Sequence, residues 1–251
     1  NTAFRHLNLP GILLPWRIAR EDIPAFVQSF RRLNIRGAAV TVPHKSAVLA
    51  LADRATPQAK LVGAANTLYW EDDAVCADNT DIAGFMAPFE KLALPPSAKT
   101  LMLGAGGAAR AGIVGLLGKG MTEVFVTSPS GTKADSLAAE FGIASIPWES
   151  RGDIAADIVV NSTPSGMTGK FAEDSPYPAE FLNGKPGLAY DMVYTPHYTR
   201  FLREAKEAGW KIVTGLEMFV GQANCQFRIW TGHDLPACAI DAVATALYGV
   251  A

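Results

Sequence analysis

Thr100-Leu101-Met102-Leu103-Gly104-Ala105-Gly106-Gly107-Ala108-Ala109 reads as an apolar strand that breaks into a glycine turn and enters a helix. Gly104 permits the tight turn, and Gly106 lets backbone N–H groups approach a phosphate at the helix N-terminus. Ala109 keeps helix and strand close. A glycine pattern of this kind is often only a strand–helix turn, but here both flanks fit a dinucleotide loop. The helix is expected over Gly106–Gly118, followed by a strand at Glu123–Thr127 and a helix at Lys133–Phe141. Ile158–Val160 and Leu188–Asp191 are short apolar strands, and Asp174–Asn183, rich in Pro and polar residues, is a loop. Strands alternating with helices predict an α/β fold with a doubly wound parallel sheet. The candidate phosphate contacts are Gly104, Ala105, Gly106, Gly107 and Ala108.

The next strand ends at Thr127-Ser-Pro-Ser-Gly-Thr-Lys133, where such folds read the adenosine ribose. An acidic residue there would accept from the 2′-hydroxyl and select NAD, and none is present. Ser128, Ser130 and Thr132 can donate to a phosphate and Lys133 adds a positive charge, so NADP is favoured over NAD. The bland alternative is that Lys133 is a solvated first-turn helix residue.

Upstream, Ile23, Phe26, Val27, Phe30 and Leu33 recur at helical spacing behind Asp22, a suitable N-cap. Gly37–Val42 reads as a buried strand stopped by Pro43, with a short helix at Ser46–Leu51. Strand–helix alternation to about Asp81 makes a first α/β lobe, and Pro88 with Pro95-Pro96 marks the junction. Leu216–Trp230 and Pro236–Leu247 are helical. Val40-Thr-Val-Pro-His-Lys45 ends on a lysine just past a strand, and Asp78-Asn-Thr-Asp81 ends on an aspartate. A partly desolvated lysine beside an aspartate can exchange a proton near neutral pH. Taken singly, Lys45 is an ordinary helix-start lysine and Asp81 an ordinary cap for Ile82–Phe89. In mutual reach the two would be a proton-transfer pair.

At 251 residues and 49% hydrophobic the chain can bury a sizeable core. With 24 acidic against 22 basic residues, net charge −2, it carries no polybasic face, so neither nucleic acid nor an anionic membrane is an expected partner. No apolar run approaches the ~18 residues that span a bilayer. Cys76, Cys225 and Cys238 are odd in number and scattered, which predicts a reducing, cytoplasmic setting. The four histidines are equally dispersed, and no metal is expected.

Val40–Lys45, Gly63-Ala-Ala-Asn-Thr67, Asp78–Asp81, Gly104–Ala109, Asn161-Ser-Thr-Pro164 and Asp191-Met-Val-Tyr194 occur in that order. They precede Gly215-Leu-Glu-Met218, Gln222-Ala223 and Trp230-Thr-Gly232. Over nearly the whole chain this series resembles the shikimate dehydrogenase family. The resemblance implies NADPH-dependent, reversible reduction of 3-dehydroshikimate to shikimate in the chorismate and aromatic amino acid pathway. It implies a substrate-binding lobe of residues 1–81 completed by 216–251, a Rossmann-type NADP-binding domain of 82–215, and an active site in the cleft between them. By resemblance Lys45 and Asp81 are catalytic, and Thr41, Asn66, Tyr194 and Gln222 bind substrate together with them. Met192 and Gly215 line the nicotinamide. His44 is packing, since the family accepts another aromatic there. The chain is expected as a monomer or homodimer.

Three departures stand out. The family begins about 20 residues before Asn1, with a strand and a Ser-x-Ser element that holds the substrate carboxylate. Its cofactor-selecting arginine is replaced by Pro129. Glu217 stands where many members have Gly, a change expected to alter a helix-start contact only. Two other readings stay open: a quinate/shikimate or shikimate-like paralogue using NAD or another polyol carboxylate, and a non-catalytic metabolite sensor.

Overall fold

The protein's structure, a computed structural model, describes residues 1–92, 94–184 and 186–249. It divides into two compact units, Asn1–Ile82 with Gln222–Ala251, and Ala83–Gly221. Residues 216–221, expected in the first lobe, thus group with the second unit. Pro88, expected at the junction, lies buried inside a helix, Asp81–Glu90.

In chain order the first unit holds α1 (Thr2–His6), α2 (Ile23–Arg32), β1 (Gly37–Ala39), α3 (Lys45–Leu51), β2 (Arg54–Ala55) and α4 (Pro57–Val62). These are followed by β3 (Thr67–Glu71), β4 (Ala74–Asp78) and the start of α5 (Asp81–Glu90). The sheet order is β1-β3-β4-β2, with β3 antiparallel to β1 and β4, and β2 parallel to β4. The expected strand–helix alternation therefore omitted a hairpin. It turns at Asp72-Asp73, where Asp72 takes φ 52°, a conformation Asp tolerates better than most residues. Leu68, Val75 and Ala77 point into a core with Ile23, Val27 and Phe30 of α2 and Val48 of α3.

Two local expectations are corrected here. Strand pairing stops at Ala39 and does not run to Val42, whose side chain is 77% exposed. The chain turns at once, closed by the His44 N–H donating to the Thr41 carbonyl (3.0 Å), and Pro43 has no N–H to extend a ladder. Asp22 occupies the N-cap position of α2 but makes no capping hydrogen bond, because the turn Arg20–Asp22 leads into the helix; Leu33, past the helix end, is exposed.

The second unit continues with β5 (Thr100–Leu103), α6 (Gly107–Gly118), β6 (Val124–Thr127), α7 (Gly131–Phe141), β7 (Ala144–Ser145), β8 (Ile158–Asn161) and β9 (Leu188–Asp191). Then come α8 (Arg200–Glu207), β10 (Lys211–Val213) and the start of α9 (Gly215–Thr231), whose residues from Gln222 on belong to the first unit together with α10 (Ala237–Tyr248). Its six strands are all parallel in the order β10-β9-β8-β5-β6-β7. The chain starts at the centre, winds out one way and returns to wind out the other. This is the doubly wound Rossmann order, and it places the switch point beside the β5 C-terminus. β5, β8 and β9 are buried at every residue because both sheet faces are covered. Met102, Val160 and Tyr190 pack in one core, Leu101, Leu103, Val159 and Ala189 in the other. The stretch 174–183 is not a plain loop: Tyr177 and Leu182 are buried beneath the second core around a single turn, Ala179–Leu182. No helix among the described residues is long and apolar enough to cross a membrane.

Beyond β8 and β9 the loops are locked by a buried carboxyl. Asp191 accepts from Thr199 Oγ1 (2.6 Å), Asn161 Nδ2 (2.9 Å) and the Val193 N–H (2.9 Å). Thr199 in turn caps α8, accepting from the Leu202 N–H (3.3 Å). Among the described residues no cation faces the carboxyl, and burial pushes it up to about 7, against the pull of its three donors. Between roughly pH 4 and 7 the native state therefore holds a proton that the unfolded chain has lost, so this group's contribution to stability falls as pH rises across that window. Asp191→Asn, isosteric and uncharged, should gain on the wild type from pH 5 to pH 8 by at most about 3 kcal/mol. Urea unfolding of both proteins at the two pH values checks this, and parallel curves would refute it.

Candidate active site

Lys45 opens α3 and Asp81 opens α5. Their helices are set against the sheet by backbone bonds from one segment: the Ala65 N–H donates to the Lys45 carbonyl (2.9 Å) and the Asn66 N–H to the Asp78 carbonyl (3.0 Å). Lys45 Nζ thereby donates to Asp81 Oδ2 at 2.6 Å, with the side chains 26% and 16% exposed. This is partial desolvation: water and a ligand can still reach the pair, yet its attraction exceeds that of a free surface ion pair. The helix N-terminus favours the Asp81 carboxylate and disfavours the Lys45 ammonium, so the aspartate holds the lysine's charge in place.

Asn66 is buried. Its Nδ2 donates to Asp81 Oδ1 (2.8 Å) and Thr80 Oγ1 (3.0 Å), and its Oδ1 accepts from the Thr80 N–H (2.9 Å) and Thr67 Oγ1 (2.7 Å). Lys45, Asn66 and Asp81 are thus brought into one network. Asn66, expected on the substrate's hydroxyl face, thus has its amide hydrogens engaged inside the protein, by Thr80 and Asp81 just beyond β4. Asn66 consequently acts first on Asp81. Thr41 is exposed and lies outside this network, at the head of the turn that leads to Lys45; Gln222 is half-buried on α9. Sequence reasoning missed Thr67, Thr80 and Gln226. Gln226 is buried and reaches the network from the next turn of α9, a four-residue spacing from Gln222 that could have flagged it.

In the second unit the glycine turn has the features a pyrophosphate needs. Gly104 takes φ 110°, and a Cβ there would lie 2.5 Å from Ser162 Oγ. Ser162 donates to the Leu103 carbonyl (2.7 Å), so the Asn161–Pro164 segment supports the turn from behind. Gly106 caps α6 without a side chain, and a Cβ at Gly106 or Gly107 would meet no protein atom within 4 Å. The first-turn N–H groups of α6 therefore face open space beside Ala105 and Ala108, which fits a dinucleotide phosphate.

At the ribose end Ser128 departs from expectation. Its hydroxyl is nearly buried and closes a turn on Ser130, accepting from the Ser130 N–H (3.1 Å) and donating to the Ser130 carbonyl (3.2 Å). Ser130, Thr132 and Lys133 remain exposed on the first turn of α7, where two hydroxyls and an ammonium fit a 2′-phosphate. Met192 is half-buried against α6, where a Cβ on Gly112 would come within 3.1 Å of its methyl group. Tyr194, 41% exposed, has its ring 4.9 Å from Phe219. Gly215 is required because a Cβ would lie 2.4 Å from the Val193 carbonyl oxygen, and this close approach brings the 192–194 loop beside the start of α9. Glu217 reaches back over the helix start: its carboxylate accepts from the Thr214 N–H (2.6 Å) and hydroxyl (3.2 Å).

Comparison with known proteins identifies the family. The family model described as shikimate dehydrogenase substrate binding domain matches residues 1–68, and that of the shikimate 5'-dehydrogenase C-terminal domain matches 215–247. A shikimate dehydrogenase (NADP(+)) of Pelobacter propionicus is 54% identical over 98% of this chain and 90% of its own. The structure of shikimate 5-dehydrogenase from Thermus thermophilus in complex with NADP(H) and shikimate superposes with a TM-score of 0.87. It is 36% identical and covers 98% of this chain and 91% of its own. A Gluconobacter 5-ketofructose reductase shares the fold at 25% identity and a TM-score of 0.86, over 98% of this chain and 91% of its own. With a relative this similar along nearly its whole length, the chain belongs to the shikimate dehydrogenase family.

Proposed function

We propose that this protein is an NADP-dependent shikimate dehydrogenase, reversibly reducing 3-dehydroshikimate to shikimate in the chorismate pathway. The observation that carries the reading is the Lys45–Asp81 pair at 2.6 Å, held by Asn66 at Asp81's other oxygen. The Pelobacter relative bears the same activity in its name, and the Thermus structure holds both ligands.

Bound NADPH supplies the hydride. The chain's own residues do the rest. As negative charge develops on the substrate's C3 oxygen, Lys45 Nζ gives it a proton, and in the reverse direction takes it back. Asp81 keeps the ammonium aligned through Oδ2 while Asn66 fixes Oδ1, so the donor is positioned before the charge appears. Thr41 is assigned to the substrate's hydroxyls, and Tyr194 and Gln222 to further contacts with the substrate. Gly104 to Ala108 hold the pyrophosphate, Ser130 and Lys133 the 2′-phosphate, and Met192 with Gly215 the nicotinamide face. Ser128 serves that subsite by shaping its turn.

A second reading has one observation behind it. Pro129 stands where the family's arginine is expected, and the fold also serves a keto-sugar reductase, so a different polyol substrate or NAD is its content. Mixing the protein with shikimate or quinate and NADP or NAD, and following nicotinamide absorbance, decides between them. Shikimate with NADP should give the highest kcat/KM; a preference for quinate or NAD would establish the second reading, and silence with every pair would make the chain a sensor.

Lys45→Ala should lower kcat by about 10²–10⁴-fold while leaving NADP affinity within a factor of a few. Turnover at the wild-type rate would remove Lys45 from the chemistry. Lys133→Ala should weaken NADP by ~1–2 kcal/mol and leave NAD nearly unchanged, because only NADP carries the 2′-phosphate. Titration of both cofactors by fluorescence reads this directly, and equal loss for both would assign Lys133 to folding instead.

A further inference from the structure

We infer that Gln226 is a positioning residue for the proton-transfer pair, acting through Thr67 and Asn66 on Asp81; this deepens the shikimate dehydrogenase reading and rests on it. Gln226 lies on α9, only 6% exposed, and its Nε2 donates to the Asn66 carbonyl (3.0 Å) and to Thr67 Oγ1 (3.1 Å). A hydroxyl that accepts from Gln226 turns its own proton elsewhere, and the nearest acceptor is Asn66 Oδ1 at 2.7 Å. That proton and the Thr80 N–H (2.9 Å) together face the amide's oxygen, which leaves Nδ2 directed at Asp81 Oδ1 (2.8 Å).

The polarity of the two amides is unique. Turning the Asn66 amide over would set its NH₂ against the Thr80 N–H and its oxygen against the Asp81 carboxylate. Turning Gln226 over would set its oxygen against the Asn66 carbonyl. The two amides thus have one polarity, while the Thr80 hydroxyl has both Asn66 Oδ1 (3.2 Å) and Thr67 Oγ1 (3.5 Å) within reach, and that amide arrangement grips Asp81 at both oxygens, by Asn66 and by Lys45. Fully satisfied buried networks of this kind rigidify what they hold, and removing one member loosens the rest. An apolar residue at 226 would leave the Thr67 hydroxyl free to swing toward Thr80 Oγ1, 3.5 Å away, and release its hold on Asn66.

The test uses the full chain in shikimate oxidation with NADP. Gln226→Met and Thr67→Val, near-isosteric and without the relevant donors, should each lower kcat about tenfold with an unchanged KM for NADP. Thr67→Ser keeps the hydroxyl and should retain the wild-type rate. In an Asp81→Asn background neither Gln226→Met nor Thr67→Val should cost anything further, because both act through the carboxylate. Wild-type kcat in Gln226→Met, or the same tenfold loss in both backgrounds, overturns the inference and leaves shikimate oxidation by the wild type intact. If Gln226→Met does not fold, Thr67→Val with its serine control carries the same decision. An inactive wild type overturns the functional reading and this inference with it.

Discussion

The site depends on one ion pair, Lys45 with Asp81, and on the fact that neither partner is placed by its own side chain. Each is the first residue of a helix, and both helices are pinned to one short segment, Ala65–Thr67, by main-chain and amide hydrogen bonds. An ammonium at a helix N-terminus is electrostatically disfavoured by a few tenths to about 1 kcal/mol. The carboxylate offsets that, and its own helix favours it. The result is a lysine that stays near a fixed point while only a quarter exposed. Long flexible lysine side chains lose entropy when held this way, and the 2.6 Å charge-assisted bond is what opposes the loss.

The second unit meets a different constraint. For the proposed phosphate role its glycine turn has to present backbone N–H groups without side chains in the way, and the sheet has to hold that turn still. Gly104 donates its N–H to the Thr127 carbonyl (2.7 Å) and has Ser162 directly behind it, so the turn is anchored to β6 and to the end of β8. The same end of β8 carries Asn161, which orders its own loop through Thr163 and reaches Asp191 on β9. Three strand ends are thereby connected by side chains that a family motif marks without explaining. A buried carboxyl without a cation is a costly way to make such a joint. In return it accepts from an amide, a hydroxyl and an N–H at once.

Much of this was legible in the sequence, for reasons that differ by element. The parallel sheet announces itself because strands buried on both faces are continuous apolar runs, and Gly104–Ala109 follows one of them. Lys45 and Asp81 could be paired because each ends a distinctive segment. The β3–β4 hairpin went unread because Asp72-Asp73 is a weaker turn signal than Asn-Gly, and its strands alternate over only a few residues. Val42 looked buried because apolar runs do not reveal where pairing stops. Polar roles were the least legible. Asn66 and Ser128 carry the right groups for a ligand, yet their bonds go to Asp81 and to Ser130; composition cannot say which neighbour reaches an amide first. Gln226 was missed for the same reason, its four-residue spacing from Gln222 being the one signal that pointed to it.

The central claim is that Lys45 delivers the proton while the hydride moves. Single-turnover reduction of 3-dehydroshikimate by the NADPH-loaded enzyme, followed by loss of nicotinamide absorbance in H₂O and in D₂O, tests it most directly. The account predicts a slower turnover in D₂O, further slowed when deuterated NADPH is used. It also predicts that the solvent effect disappears when Lys45 is replaced by alanine and a water-borne proton arrives after the hydride. A wild-type rate that is identical in the two solvents would contradict it.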